Sequence, residues 1–191
     1  MTLKSYFRSR GYLSDPVITT ESGDCCDLSQ LPAFLRTLLV ADGTVTKALE
    51  AWFWESVKVV PLVNKQTKLN TLESGLKAEK GENVLQREVI LQGVSSDQIF
   101  ACARSIVALE QLPDEIGQAL KSGKIGIGEL FREKGLETYR DIFAINHYKS
   151  DPKNDAMLDL LKGNIVSRSY RIWLNGNPAI IVTEYFPVDI Y

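Results

Sequence analysis

The spacing of apolar residues changes period several times along this chain. Leu31, Phe34, Leu35, Leu38 and Leu39 recur at helical spacing and continue a face begun by Leu28. Pro32 is tolerated only in a first turn and Gly43 supplies a stop, so a helix is predicted over 31–42. Residues 44–50 open with a threonine cap and hold good helix formers; they read as a short second helix, or as a turn leading into a strand. The pattern then shortens to that of strands over 52–63, 84–92, 98–108, 136–148, 165–174 and 178–188, rich in aromatic and β-branched residues. Gly93 to Asp97 and Asn175-Gly176-Asn177 read as hairpin turns, and a weaker helix is predicted over 114–121. Hairpins without βαβ alternation predict an α+β domain: one antiparallel sheet of about six strands with helices packed on it.

Two polar stretches, 64–83 and 146–164, read as surface insertions. The second contains Met157-Leu158-Asp159-Leu160-Leu161, enough for one or two helical turns. Excursions of this length are often lids or binding loops, although a plain solvated insertion suits the first equally well. No internal repeat or linker divides the chain, so a single domain is expected over 1–191, with 1–27 as an N-terminal extension.

Charge and cysteine usage remove several functions. The formal net charge is −2 with no basic stripe, which argues against a nucleic-acid partner. Three cysteines are no disulfide framework, and a single histidine, His147, permits no standard zinc spacing. No targeting segment or membrane-spanning stretch is evident, so a cytoplasmic, reduced protein without membrane insertion is expected. A monomer is slightly favoured.

The candidate chemistry comes from charges on apolar faces. Strand side chains alternate sides, so Arg87 shares a face with Val89 and Leu91, and Glu184 shares one with Ile180, Val182 and Phe186. A guanidinium or carboxylate on a core face is costly unless a partner satisfies it. One reading is a structural ion pair, or charges that snorkel out at a sheet edge. Alternatively they line a closed pocket, where the planar fork of Arg87 grips a ligand carboxylate and Glu184 meets a hydroxyl at its other end. Arg104 and Arg168, also in strands, either line the same cavity or pair with acids. The glycine-rich run 123–128 lacks a phosphate-loop pattern and reads as a flexible turn, though its N–H groups, like those near Val45, could meet a carboxylate. Cys102 reads as a small core residue and His147 as a surface polar one.

Taken in order, several short segments resemble the chorismate pyruvate-lyase family, in the branch found in oxygenic phototrophs and some other prokaryotes. They are Leu31-Pro32-Ala33-Phe34-Leu35-Arg36, Asp42-Gly43-Thr44-Val45-Thr46-Lys47, Arg87-Glu88-Val89, Ala103-Arg104-Ser105 and Ile127-Gly128-Glu129-Leu130. Ser167-Arg168-Ser169-Tyr170-Arg171-Ile172, Gly176-Asn177-Pro178-Ala179 and Thr183-Glu184-Tyr185-Phe186-Pro187 complete the series. The resemblance implies a chorismate lyase-like fold with an enclosed ligand pocket behind helical flaps. It implies a cofactor-free, metal-free lyase that converts chorismate to 4-hydroxybenzoate and pyruvate for quinone synthesis, plastoquinone or ubiquinone. It also implies that Arg87 holds the ring carboxylate, assisted by backbone amides at Val45 and at Ile127 and Gly128, and that Glu184 contacts the 4-hydroxyl end. Arg168 or Arg104 is then the candidate for the second carboxylate. Val45 departs from the methionine of the best-known branch, a change that a backbone contact tolerates. The main alternative is a non-catalytic aromatic-acid-binding domain of the same fold, as in the effector domains of some transcription regulators. About 30 residues before the first helix are too few for the DNA-binding module those proteins carry. A partner-binding scaffold is a third reading, for which no exposed apolar stripe speaks.

Overall fold

A computed structural model describes residues 17–20, 23, 25–71, 73, 75–123, 125–148 and 155–191. Most of the expected N-terminal extension, residues 1–16, and residues 149–154 of the second polar stretch lie outside the described residues. The chain order is β1 (Val17–Thr19), β2 (Cys25–Asp27), α1 (Ala33–Val40), α2 (Val45–Phe53), β3 (Val57–Lys68), β4 (Asn83–Gly93) and β5 (Ile99–Ala108). Then come α3 (Asp114–Lys121), α4 (Ile127–Glu133), β6 (Tyr139–Tyr148), β7 (Ile165–Leu174) and β8 (Asn177–Pro187). The α+β class is as expected, with six long strands in one antiparallel sheet, β3-β4-β5-β8-β7-β6. Two three-stranded meanders, β3-β4-β5 and β6-β7-β8, meet along β5 and β8. Strands β1 and β2 form a separate small hairpin that the sequence pattern did not announce.

Among the described residues, the four α-helices lie on one face of the sheet. Helices α1 and α2 bury Leu35, Leu38, Leu39, Val45 and Leu49 against Leu91, Ala101, Val166 and Phe186 at one end. Helices α3 and α4 bury Ile116, Leu120, Leu130 and Phe131 against Leu85, Val107, Ile172 and Ile180 at the other. Between these two apolar clusters the same strands pass through Arg87, Ser105, Arg168 and Glu184, all buried. A seam of polar side chains thus crosses the middle of the helix-covered face.

Several predicted boundaries are corrected. Trp52 and Phe53 belong to α2, not to a strand, because packing outweighs their β propensity. Trp52 stacks on Phe34 of α1 at 4.5 Å and Phe53 on Phe100 at 3.9 Å. Trp54 then ends the helix in the left-handed region at φ 58°. Helix α1 stops at Val40, before Gly43 is reached. The glycine-rich run leads into α4, a helix hidden by its short length, and Gly123 takes a positive φ of 74° before it. The polar stretches are less solvated than their composition suggests. Residues 64–68 extend β3, and Leu69 and Leu76 are buried against Val84 and Ala108. Met157, Leu158 and Leu161 cover the second face of the sheet, against Ile90, Cys102, Ile165 and Tyr185.

Candidate active site

The polar seam opens into a cavity of about 80 Å³. At ~10–15 Å³ for each water this is room for about six waters, the scale of one small aromatic acid. The floor is Arg87, Val89 and Leu91 of β4, Ala103 and Ser105 of β5, Val182 and Glu184 of β8, and Tyr170 and Ile172 of β7. The walls are the start of α2, Gly43 to Thr46, and the start of α4, Gly126 to Glu129. The first N–H groups of a helix have no acceptor within it, so the helix starts that form both walls carry backbone donors without an intrahelical partner. Gly128 permits a close approach of these walls: a Cβ there would lie 3.0 Å from Thr44 Oγ1. Wider hollows of about 200 Å³ beside Gln66 and Asp114, and of about 410 Å³ beside Tyr139 and Trp173, are open to solvent.

Register explains why the charges of this face end differently. Arg168 and Glu184 are direct neighbours across β7 and β8. Arg168 Nε donates to Glu184 Oε2 at 2.7 Å, and its Nη1 donates to the carbonyls of Leu38 and Ala41 at the end of α1. Tyr170 Oη donates to Glu184 Oε1 at 3.0 Å. Burial works against the Arg168 charge, but Glu184 and Tyr170 outweigh it and the pKa rises. Burial, with the nearby Glu184, also raises the Tyr170 phenol, which keeps it a donor.

Arg87 has no such partner. Its neighbours across β3 and β5 are Asn64 and Ser105, neither of them acidic. It is 3% exposed, donates through Nη2 to the Ile125 carbonyl at 2.8 Å, and leaves Nε buried without an acceptor. Among the described residues no carboxylate lies within ion-pair distance of it. Burial alone holds its pKa below the ordinary arginine value, the mark of a cation without its anion.

Of the residues singled out from the sequence, Arg87, Glu184, Val45, Ile127 and Gly128 meet around this one cavity. Arg87 and Glu184 do not pair with each other. Arg168 lies behind Glu184 and does not line the cavity, and Arg104 is on the opposite face of the sheet. There Arg104 donates to Glu88 at 2.7 Å and to both oxygens of Asp155, so it is a structural partner of acids. Cys102 is fully buried on that same face, in the apolar role expected of it. Arg140, Tyr170 and Glu129 line the cavity and were missed. Tyr170 stands two residues from Arg168, so the parity that marked Arg87 was available for it. Arg140 is obscured by an irregularity between Ile142 and Ala144, which breaks the alternation of β6.

A family model described as "Chorismate pyruvate-lyase Rv2949c-like" matches residues 39–191. The chain belongs to the chorismate pyruvate-lyase family. A chorismate pyruvate-lyase of Mycobacterium leprae is 32% identical over 172 residues, covering 86% of this chain and 79% of that one. The chorismate pyruvate-lyase of Mycobacterium tuberculosis strain CDC 1551 is 28% identical over 181 residues, covering 86% and 85%. Among solved structures, the effector domain of PhnF from Mycobacterium smegmatis superposes with a TM-score of 0.58 at 14% identity, covering 79% of this chain and 92% of that domain. At that identity the likeness shows a shared fold, the α+β arrangement of chorismate lyases and regulator effector domains. No helix among the described residues is long and apolar enough to cross a membrane.

Proposed function

We propose that this protein is a chorismate pyruvate-lyase that works without metal or cofactor, with Arg87 and Glu184 as its principal site residues. Support comes first from Arg87, a buried guanidinium with no carboxylate partner among the described residues and an unpaired Nε, in a cavity that Glu184 also lines. The planar fork of Arg87 suits a ring carboxylate, and the helix-start amides at Val45, Ile127 and Gly128 add donors beside it. Glu184 is held by Arg168 and Tyr170, and in this reading its carboxylate accepts from the 4-hydroxyl.

In the reaction the bond from C3 to the ether oxygen breaks and the hydrogen on C4 leaves as a proton. The electron pair of the C4–H bond completes the aromatic ring. The departing enolpyruvate takes up a proton on its methylene carbon and becomes pyruvate. Aromatisation supplies the driving force, so the protein's part is to hold a reactive conformer and to stabilise charge on the leaving group. The apolar floor residues Val89, Leu91, Ile172 and Val182 would exclude water around these charges. The resemblance alone extends the proposal to the phototroph branch, to the cytoplasm, and to quinone supply, plastoquinone or ubiquinone.

The shared fold makes an aromatic-acid sensor the second reading. Incubating purified protein with chorismate, with and without a chelator, and following 4-hydroxybenzoate by ultraviolet absorbance separates the two. Turnover that survives the chelator supports the cofactor-free lyase. Binding without turnover supports the sensor, and no binding at all rejects both.

A further inference from the structure

We propose that Arg140 is a second anion-binding residue of this cavity, and that the site is built for a ligand with two carboxylates. This deepens the proposed function and rests on its placement of the ring carboxylate at Arg87. Arg140 enters from β6 and Arg87 from β4, on opposite flanks of the cavity. Four strand spacings of ~4.8 Å separate their backbones, so the two guanidinium groups converge from either side of a small guest.

The cross-strand neighbour of Arg140 is Ile172, which offers no charge. One donor is used: Nη1 reaches the carbonyl of Asp42, in the turn between α1 and α2. Nε is buried and without an acceptor, as in Arg87. Among the described residues no carboxylate lies within ion-pair distance of Arg140 either, whereas Arg104, Arg168 and Arg171 each have one. Arg87 is buried and Arg140 half-buried with its Nε covered, and among the described residues neither guanidinium has a carboxylate within ion-pair distance, so a ligand with two negative charges would supply a partner for each.

The location fits a particular arrangement of those charges. Arg140 Nη1 donates to the Asp42 carbonyl, next in the chain to the Ala41 carbonyl that accepts from Arg168, and Arg168 pairs with Glu184. Arg140 therefore stands at the Glu184 end of the cavity. In a ring whose 4-hydroxyl meets Glu184, a carboxylated ether on the adjacent carbon falls beside Arg140. A cation there would also stabilise negative charge as that side chain departs.

The test compares a dicarboxylate with a monocarboxylate. Steady-state kinetics with chorismate, and calorimetric binding of 4-hydroxybenzoate, are measured for the wild type, Arg140→Ala and Arg140→Lys, after thermal melts establish that each is folded. Loss of a charge-assisted contact predicts a fall of ~10- to 100-fold in kcat/KM for chorismate in Arg140→Ala. Binding of 4-hydroxybenzoate, which lacks the second carboxylate, stays within about twofold by the same logic, and Arg140→Lys recovers part of the loss. Unchanged chorismate kinetics overturn the inference, and so does an equal loss for both ligands, which would make Arg140 a strut for the Asp42 turn. A wild type that binds chorismate without turnover ends the lyase reading instead; the inference is then decided by chorismate affinity in the same variants.

Discussion

The two faces of the central sheet carry nearly the same charges and put them to different uses. On the outer face, Glu88 and Arg104 are cross-strand neighbours, and Asp155 completes a cluster in which the cation has all its acids. On the helix-covered face, Glu184 and Arg168 are also cross-strand neighbours and pair in the same way. The difference lies in Arg87, one residue before Glu88, which points the other way into a cavity and finds only Asn64 and Ser105 across the ladder. A charge in a strand is therefore not itself a functional signal. What distinguishes the site is a buried guanidinium with no carboxylate partner among the described residues.

That contrast is most severely strained by exchanging each arginine for methionine. Arg87→Met should cut kcat/KM for chorismate by ~10²- to 10⁴-fold, the equivalent of losing two charge-assisted hydrogen bonds. Its melting temperature should be no lower than that of the wild type, because a desolvated, unpaired charge is removed. A variant that loses both activity and several degrees of stability would make Arg87 structural.

Glu184→Gln comes next. It keeps the shape and one acceptor but loses the anion beside Arg168, and ~10- to 100-fold in kcat is expected from weakened orientation of the hydroxyl. Circular dichroism should show an intact fold; unfolding would mean that the Arg168 pair serves the core alone.

Arg104→Met should behave in the reverse sense to Arg87→Met. The pairs with Glu88 and Asp155 are partly exposed, so their loss costs only about 1 kcal/mol, or ~2–4 °C in melting temperature, with kcat/KM unchanged. A large fall in activity with no change in stability would erase the distinction between the faces.

The smallest effect concerns alkaline pH. Burial raises the Cys102 thiol from 9.0 to about 12 and the Tyr185 phenol from 10.0 to about 12, both on the outer face. The folded state then holds protons that the unfolded state releases, so this contribution is complete below pH 9 and is lost as pH rises towards 12. Denaturant titrations should show stability declining over that interval; a rise would contradict the burial.

Much of this was legible in the chain. Period-two alternation was enough to place Arg87 with Val89 and Leu91, and Glu184 with Val182 and Phe186, because β4 and β8 run without irregularity through those positions. The sheet, its hairpins and α1 followed from pattern in the same way. What alternation cannot convey is which partner a charge finds in space. Arg104 and Arg168 looked alike as strand arginines, yet one lies on the outer face with Asp155 and the other behind Glu184. Arg140 was hidden by a break in the β6 ladder, and Trp52 looked like strand because its stacking on Phe34 is a tertiary fact. Helix α4 is too short to show a periodicity, and its start forms half of the cavity wall.

In this site the guanidinium of Arg87, without a carboxylate among the described residues, waits for one from the ligand. Calorimetric titration of 4-hydroxybenzoate into the wild type, Arg87→Met and Arg104→Met tests it most directly. The wild type and Arg104→Met should bind with closely similar affinity, and Arg87→Met at least ~100-fold more weakly. Equal binding to the wild type and Arg87→Met would contradict it.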